Sequence, residues 1–166
     1  MPKVNTNVPA QWHDLVTAVR TSTEGPLYTL GQYREEDGKG YRYAKQNDTT
    51  VTVTAGSLAY LAASDTTGYT VCQDVSDSDR NLVAGVYTSV IANSGFGWIQ
   101  TRGPATVATN GDDDIALGDA VIASAAGDGT ADSTAQDTAP ICKVVGWAMA
   151  ADSDSGNTVL TFLTLD

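Results

Sequence analysis

Histidine is nearly missing from this chain: His13 is the sole one, and Cys72 and Cys142 are the only cysteines. A closed tetrahedral zinc site needs four nitrogen, sulfur or oxygen ligands, and these three residues do not supply a convincing set. His13 beside Asp14 makes no catalytic triad, because adjacency along the chain does not set the geometry. Cys72 has no histidine in its own part of the chain to activate it as a nucleophile. No glycine-rich stretch ends in Lys-Ser or Lys-Thr, so a phosphate-cradling loop is missing too. The expectation is a protein that is not an enzyme and takes no metal or cofactor.

Cations are also few. The net charge is −11, and phosphate contacts need clustered Lys and Arg, so a nucleic-acid partner is not expected. An anionic membrane surface is disfavoured for the same reason. No apolar run approaches the ~20 residues that span a bilayer. The first fifteen residues, MPKVNTNVPAQWHDL, lack the apolar core of a secretory signal, so the expectation is a soluble product made in a cytoplasm. Two cysteines in a reducing compartment read as small buried hydrophobes and not as a disulfide.

Glutamate is missing from residue 46 onward. Before that point, six cations face five carboxylates. After it, Arg80, Arg102 and Lys143 face fifteen aspartates. Glu favours helices, whereas Asp favours turns and caps. Aspartate without glutamate, among many Thr, Val, Gly and Ala, is the composition of an all-β domain with many turns. The chain therefore divides into an N-terminal arm, 1–45, and a β-rich body, 46–166. Its length allows one domain with a real core, or a small domain plus an arm.

In the arm, Trp12, Leu15, Val16 and Val19 share one helical face, which predicts a short helix from Pro9 to Arg20. Gly25-Pro26 breaks the chain. Tyr28 to Arg34 and Gly40 to Lys45 read as a hairpin around Glu35-Glu36-Asp37-Gly38, with Tyr33, Tyr41 and Tyr43 in cross-strand contact. In the body, strands are expected at Val51–Thr54, Leu58–Ala62, Tyr69–Val75, Leu82–Ala92, Phe96–Arg102, Ala105–Thr109, Ala120–Ser124, Ile141–Ala150 and Asn157–Leu165. Asp77-Ser78-Asp79 reads as a polar turn and Gly103-Pro104 as a tight corner. Ala125 to Pro140 reads as an exposed loop of low complexity. Short strands with turns between them indicate a barrel or sandwich.

The strand faces alternate poorly. Val145, Trp147 and Met149 oppose Val144, Gly146, Ala148 and Ala150, and Leu160 and Phe162 oppose Val159, Leu163 and Leu165. A strand wet on one side alternates apolar with polar. These strands are expected either between layers of one domain or with one face against another subunit, and oligomeric burial is favoured for part of this surface. The aspartate clusters Asp74/Asp77/Asp79, Asp112-Asp113-Asp114 and Asp152/Asp154 offer oxygen ligands for calcium. None has the spacing of a calcium-binding helix–loop–helix, so solvated turns are expected there.

Four segments in order, Leu82-Val83-Ala84-Gly85-Val86, Phe96 through Ala105 (FGWIQTRGPA), Ala116 through Ala120 (ALGDA) and Val144 through Ala148 (VVGWA), carry a resemblance. So does the stretch from Leu30-Gly31 through Asp37-Gly38 to Lys45. Together they resemble the capsid decoration, or cement, proteins of tailed bacteriophages, over most of residues 28–165. The resemblance implies a compact β-barrel or β-tulip-like body, or sandwich, with an extended N-terminal arm, commonly a homotrimer. It implies a virion structural protein on the exterior of an icosahedral capsid. There it would bind the major capsid protein and stabilise the shell by bridging its subunits. It transfers no catalytic residue. Val8, Trp12, Leu15, Val16, Tyr28, Tyr33, Trp98 and Arg102 are the candidate capsid or inter-subunit contacts. The alternative is a head-fibre or receptor- or glycan-binding module of the virion, with Trp12 or Trp98 stacking on sugars.

Overall fold

The computed structural model describes residues 16–47, 53–62, 69–74, 78–111, 115–124, 127–133, 144–152 and 157–165. Among them the fold is all-β, without a helix. Ten strands follow in chain order: β1 (Tyr33–Glu36), β2 (Lys39–Gln46), β3 (Leu58–Ala62), β4 (Thr70–Cys72) and β5 (Ser78–Tyr87), then β6 (Phe96–Ala108), β7 (Ala120–Ala123), β8 (Ala131–Ser133), β9 (Val144–Ala148) and β10 (Thr158–Thr164). They join one mixed sheet in the order β1-β2-β4-β3-β5-β6-β10-β9-β7-β8. An additional pairing of β2 with β6 turns the first half into a partial ring. Among the described residues the strand pairings are antiparallel except β2 with β4, and an isolated bridge between Thr109 and Ala131 is also parallel.

Three apolar clusters fill this arrangement. Inside the ring, Ala44, Ala59, Val71, Tyr87, Ile91 and Ile99 pack together, with Val53 fully buried among them. The Tyr87 hydroxyl donates to Gln46 Oε1 at 2.6 Å, so the hydroxyl and the amide oxygen enter this core paired, while Gln46 Nε2 is buried without a hydrogen-bond partner. A larger cluster draws on Leu58 and Tyr60 of β3, Val83 and Val86 of β5, Ala105 and Val107 of β6, and the inner faces of β7, β9 and β10. It lies between the ring and a wing formed by β10, β9, β7 and β8. The third cluster sits on β2 and β6 and joins Tyr41, Tyr43, Phe96 and Trp98 under Val16, Tyr28 and Leu30.

The hairpin forms as expected, but its turn is shorter. Glu35 and Glu36 belong to β1 and face Gly40 and Lys39, which leaves Asp37 and Gly38 as a two-residue turn. Both have positive φ, 51° and 74°, the conformation that Asp-Gly adopts in tight hairpins. β1 begins only at Tyr33, because Gln32 N–H closes a turn onto Thr29 C=O. Tyr33 faces Arg42, not a tyrosine. The Arg42 guanidinium lies between the rings of Tyr33 and Tyr69, 5.3 and 5.2 Å from their centroids, so a cation–π sandwich replaces the expected aromatic pair. β2 then joins the strands beyond residue 46, pairing with β4 and β6.

The expected helix meets a correction where it can be seen. Residues 9–15 lie outside the described residues. Val16 and Thr17 form a turn, and Arg20 exchanges two backbone hydrogen bonds of 2.8 Å with Phe96. The helical spacing of Val16 and Val19 is overruled by this pairing and by the β-branched residues around it.

Gly103-Pro104 is likewise no corner. β6 runs through it as one strand of 13 residues. β2 pairs along Phe96 to Arg102, and β10 pairs along Arg102 to Ala108. Gly103, at φ 84°, marks the exchange of partners, and Pro104 lacks an N–H where β6 has no neighbour to receive one. Beyond Gln100, where β5 leaves, the Gln100 amide donates from Nε2 to the carbonyls of Arg102, Gly103 and Pro104 at 3.0, 3.3 and 2.9 Å. The side chain stands in for a missing strand.

Other expectations shift by a few residues. Ser78 and Asp79 are in β5, not in a turn, and β5 ends at Tyr87. β4 starts after Tyr69, whose φ of 66° no strand adopts. Val53 and Thr54 form no strand. Within the expected loop 125–140, β8 is wholly buried and pairs with β7. Its Ala-Asp-Ser has little strand preference, and pairing with β7 decides its conformation. Cys72 is a buried thiol donating to the Asp74 carbonyl at 3.6 Å, while Cys142 lies outside the described residues. Among the described residues no acidic or thiol cluster could hold a metal ion. Asp152 is buried and accepts a hydrogen bond from the Thr109 hydroxyl at 2.9 Å.

Candidate interaction surface

β6, β10 and β9 form a three-strand surface with two different sides. On β10 every second residue, Val159, Thr161 and Leu163, is buried, and the intervening Thr158, Leu160, Phe162 and Thr164 face outward. β9 reaches the same result through a bulge. Val121 faces Gly146 while Ile122 faces Val144, so Val145 is an extra residue. The bulge resets the alternation: Val145 is fully buried, and Trp147 and Met149 point out. Simple period-two alternation puts all three on one side.

The outward residues form two rows. In one, Pro104 faces Phe162, which faces Trp147. In the other, Thr106 faces Leu160, whose carbonyl accepts the Met149 N–H at 2.7 Å. Strands lie about 4.8 Å apart, so each row is a continuous apolar track about 10 Å across. The four large side chains are substantially exposed: Trp147 51%, Met149 43%, Phe162 41% and Leu160 40%. No carboxylate occurs in either row. Among the described residues, Arg102, opposite Thr164, and Lys39, which lines a groove with Pro104 and Leu160, are cations at its margin. In a chain of net charge −11 this face is apolar and bordered by cations.

β6 is covered at its other end. Phe96 and Trp98 are set apart from Pro104 and Thr106 by a register shift against β2, where Tyr41 faces Gln100 but Gly40 faces Arg102. They lie beneath Val16, Tyr28 and Leu30, whereas Arg102 and Thr106 are open. Tyr28 packs against Trp98 and Tyr43 at ring-centroid distances of 5.1 and 5.3 Å. Burial lifts the phenol of Tyr43 above its ordinary ionisation range, against the N–H of Leu27, which donates to its oxygen and lowers it. Tyr41 is raised chiefly by burial, with Glu36 and Asp37 adding to it. These are properties of a packed aromatic cluster and supply no group for acid–base chemistry near neutral pH.

The residues expected as contacts thus separate. Val8, Trp12 and Leu15 lie outside the described residues. Val16, Tyr28 and Trp98 come together in the aromatic cluster. Trp98 is 1% exposed, so it offers no ring for a sugar or a partner. Tyr33 is 40% exposed and borders a hollow with Tyr28 and Trp98. Arg102 lies at the edge of the apolar face. In the sequence Leu160, Phe162, Trp147 and Met149 read as residues of two-sided strands and not as a site. Alternation along β10 marks Leu160 and Phe162, but Trp147 and Met149 turn outward through the bulge at Val145, which arises from pairing with β7.

No protein-family model matches the chain, and no curated protein is similar to it. Among solved structures, a similar one is the head fiber gp8.5 N base of bacteriophage phi29, at 17% identity and a TM-score of 0.49, with 76% of this chain and 94% of that chain covered.

Proposed function

We propose that this protein is a virion structural protein of a tailed bacteriophage, bound to the exterior of the icosahedral capsid. As a homotrimer it would bridge neighbouring subunits of the major capsid protein and hold the shell together by many modest contacts repeated about a symmetry axis. On this reading it catalyses no reaction and needs no cofactor, nucleic acid or membrane. The observation that carries it is the apolar, carboxylate-free face of β6, β10 and β9. Four large side chains about half exposed on one flat patch are costly in water and gain by being covered. The sequence resemblance to decoration proteins supports the same role.

The test is addition of purified protein to heads of its phage assembled without it, with occupancy counted by electron cryomicroscopy. Wild type is expected to fill regular positions on the shell, and a Trp147→Ser/Phe162→Ser double variant to fill them at least tenfold more weakly. Unchanged occupancy for the variant would remove the apolar face from the contact, and no wild-type binding would remove the proposal. A head-fibre or glycan-binding role is the second reading, favoured by Trp147 beside Phe162, a ring pair of the kind sugars stack on. Glycan-array binding lost in Trp147→Ser would select it.

A further inference from the structure

At the β7 margin of the wing, Ala116 to Asp119 form a tight turn. The Asp119 N–H donates to the Ala116 carbonyl at 3.1 Å, Gly118 takes a φ of 90°, and the Ala116 N–H donates to Asp119 Oδ2 at 3.0 Å. Two further backbone hydrogen bonds of 2.9 Å clamp the turn onto Ala148 of β9. Its second residue, Leu117, is 70% exposed, more than any other large apolar side chain among the described residues. It does not stand alone, because the row of Pro104, Phe162 and Trp147 continues to Ala120, the residue after the turn. At the β6 margin, a hollow of about 200 Å³ is lined by Arg102, Phe162, Leu163 and Thr164. Ordinary small-molecule pockets hold ~300–1,000 Å³, so this one suits a single side chain.

We infer that this hollow takes Leu117 of a second copy of the chain, with Asp119 of that copy meeting Arg102. Three observations support this occupant. Leu117 stands on a turn that is already fixed, so docking it costs little in ordering. Charge is complementary across the contact: Arg102 and Asp119 form no ion pair among the described residues, whereas Arg20 pairs with Glu24 and Arg34 with Glu36. The apolar knob with its carboxylate and the hollow with its guanidinium lie at opposite margins of β6, β10, β9 and β7, so every copy presents both halves. Such a contact repeats from copy to copy and closes as a ring or as a mutual pair. Trp147, Met149 and Leu160 do not line the hollow, so the contact takes one end of the apolar face and leaves the remainder for a foreign partner. This deepens the self-association in the proposed function and rests on that part of it.

The test mixes two full-length variants, Leu117→Cys and Thr164→Cys, each also carrying Cys142→Ser, and oxidises them with copper phenanthroline at micromolar concentration. The expected product is a disulfide joining one chain of each kind, in at least fivefold excess over disulfides between like chains. Sedimentation equilibrium without introduced cysteines gives the second readout. Leu117→Ser is expected to weaken self-association at least fivefold with an unchanged thermal transition. Arg102→Ala and Asp119→Asn, which keeps an acceptor for the Ala116 N–H, should each weaken it at least threefold, and the two together no further than either alone. Additive losses would overturn the meeting of Arg102 with Asp119. A wild type that stays monomeric would remove self-association and this contact with it. A wild type that associates, yields no excess of the mixed disulfide and is indifferent to Leu117→Ser would overturn the contact alone.

Discussion

At the scale of single residues, the aromatic cluster and the partner exchange on β6 make the sharpest predictions. Tyr41 and Tyr43 ionise later in the fold than in the unfolded chain, whose phenols titrate near 10.0. A raised folded-state value leaves its contribution intact below pH 10 and removes it as pH climbs through the folded-state values. The melting temperature is therefore expected to fall above pH 10 more steeply in wild type than in Tyr43→Phe. Thermal melts from about pH 8 to 11.5 with tyrosinate absorbance as a second readout check this. The variant itself should lose about 1 kcal/mol at neutral pH, since Leu27 N–H loses its acceptor. At Gly103, a Cβ would sit 2.7 Å from the Gly38 carbonyl oxygen on a backbone with φ of 84°. Gly103→Ala should cost about 2 kcal/mol or more in urea unfolding. A cost below about 0.5 kcal/mol would show that the hairpin tip yields freely.

At the scale of elements, β6 carries most of the lesson about what a sequence discloses. Its residues read as strand formers on both sides of Gly103-Pro104, and such a dipeptide reads as a corner because it usually is one. Whether such a pair bends a chain or only changes its neighbour depends on β2 and β10, which are about 60 residues away on either side. The start of β3 is legible because Leu58 follows Gly56-Ser57. β8 was invisible because Ala-Asp-Ser has no local preference that marks it. The apolar face was half legible: Leu160 and Phe162 follow simple alternation, but Trp147 depends on a bulge that only pairing with β7 produces. Gln100 supplies this scale's prediction. Gln100→Leu removes the amide that meets three carbonyls, at a cost of about 1–3 kcal/mol, and bares a strand edge. A lower urea midpoint with faster growth of light scattering is expected. An unchanged midpoint would mean that water replaces the amide without loss.

At the scale of the whole molecule, the core-facing and outward-facing residues of the wing lie on opposite sides. Val159, Leu163 and Val145 point into the large core, whereas Leu160, Phe162 and Trp147 do not. Trp147→Ser/Phe162→Ser should therefore keep the melting temperature within about 3 °C of wild type, measured by calorimetry. Val159→Ala, by contrast, should lower stability by about 1–3 kcal/mol through the cavity it leaves. A double variant that melts far lower would place those two rings in the core's energetics and not on its surface. The long strand has a mechanical consequence as well. Seven residue pairs tie β10 to one part of β6, and β2 holds the other part. A pull on the wing along the strand direction is resisted by all seven pairs loaded together, and the load passes through a single unbroken backbone into the ring. The molecule is built as a tension member, strong along β6 and weak across it.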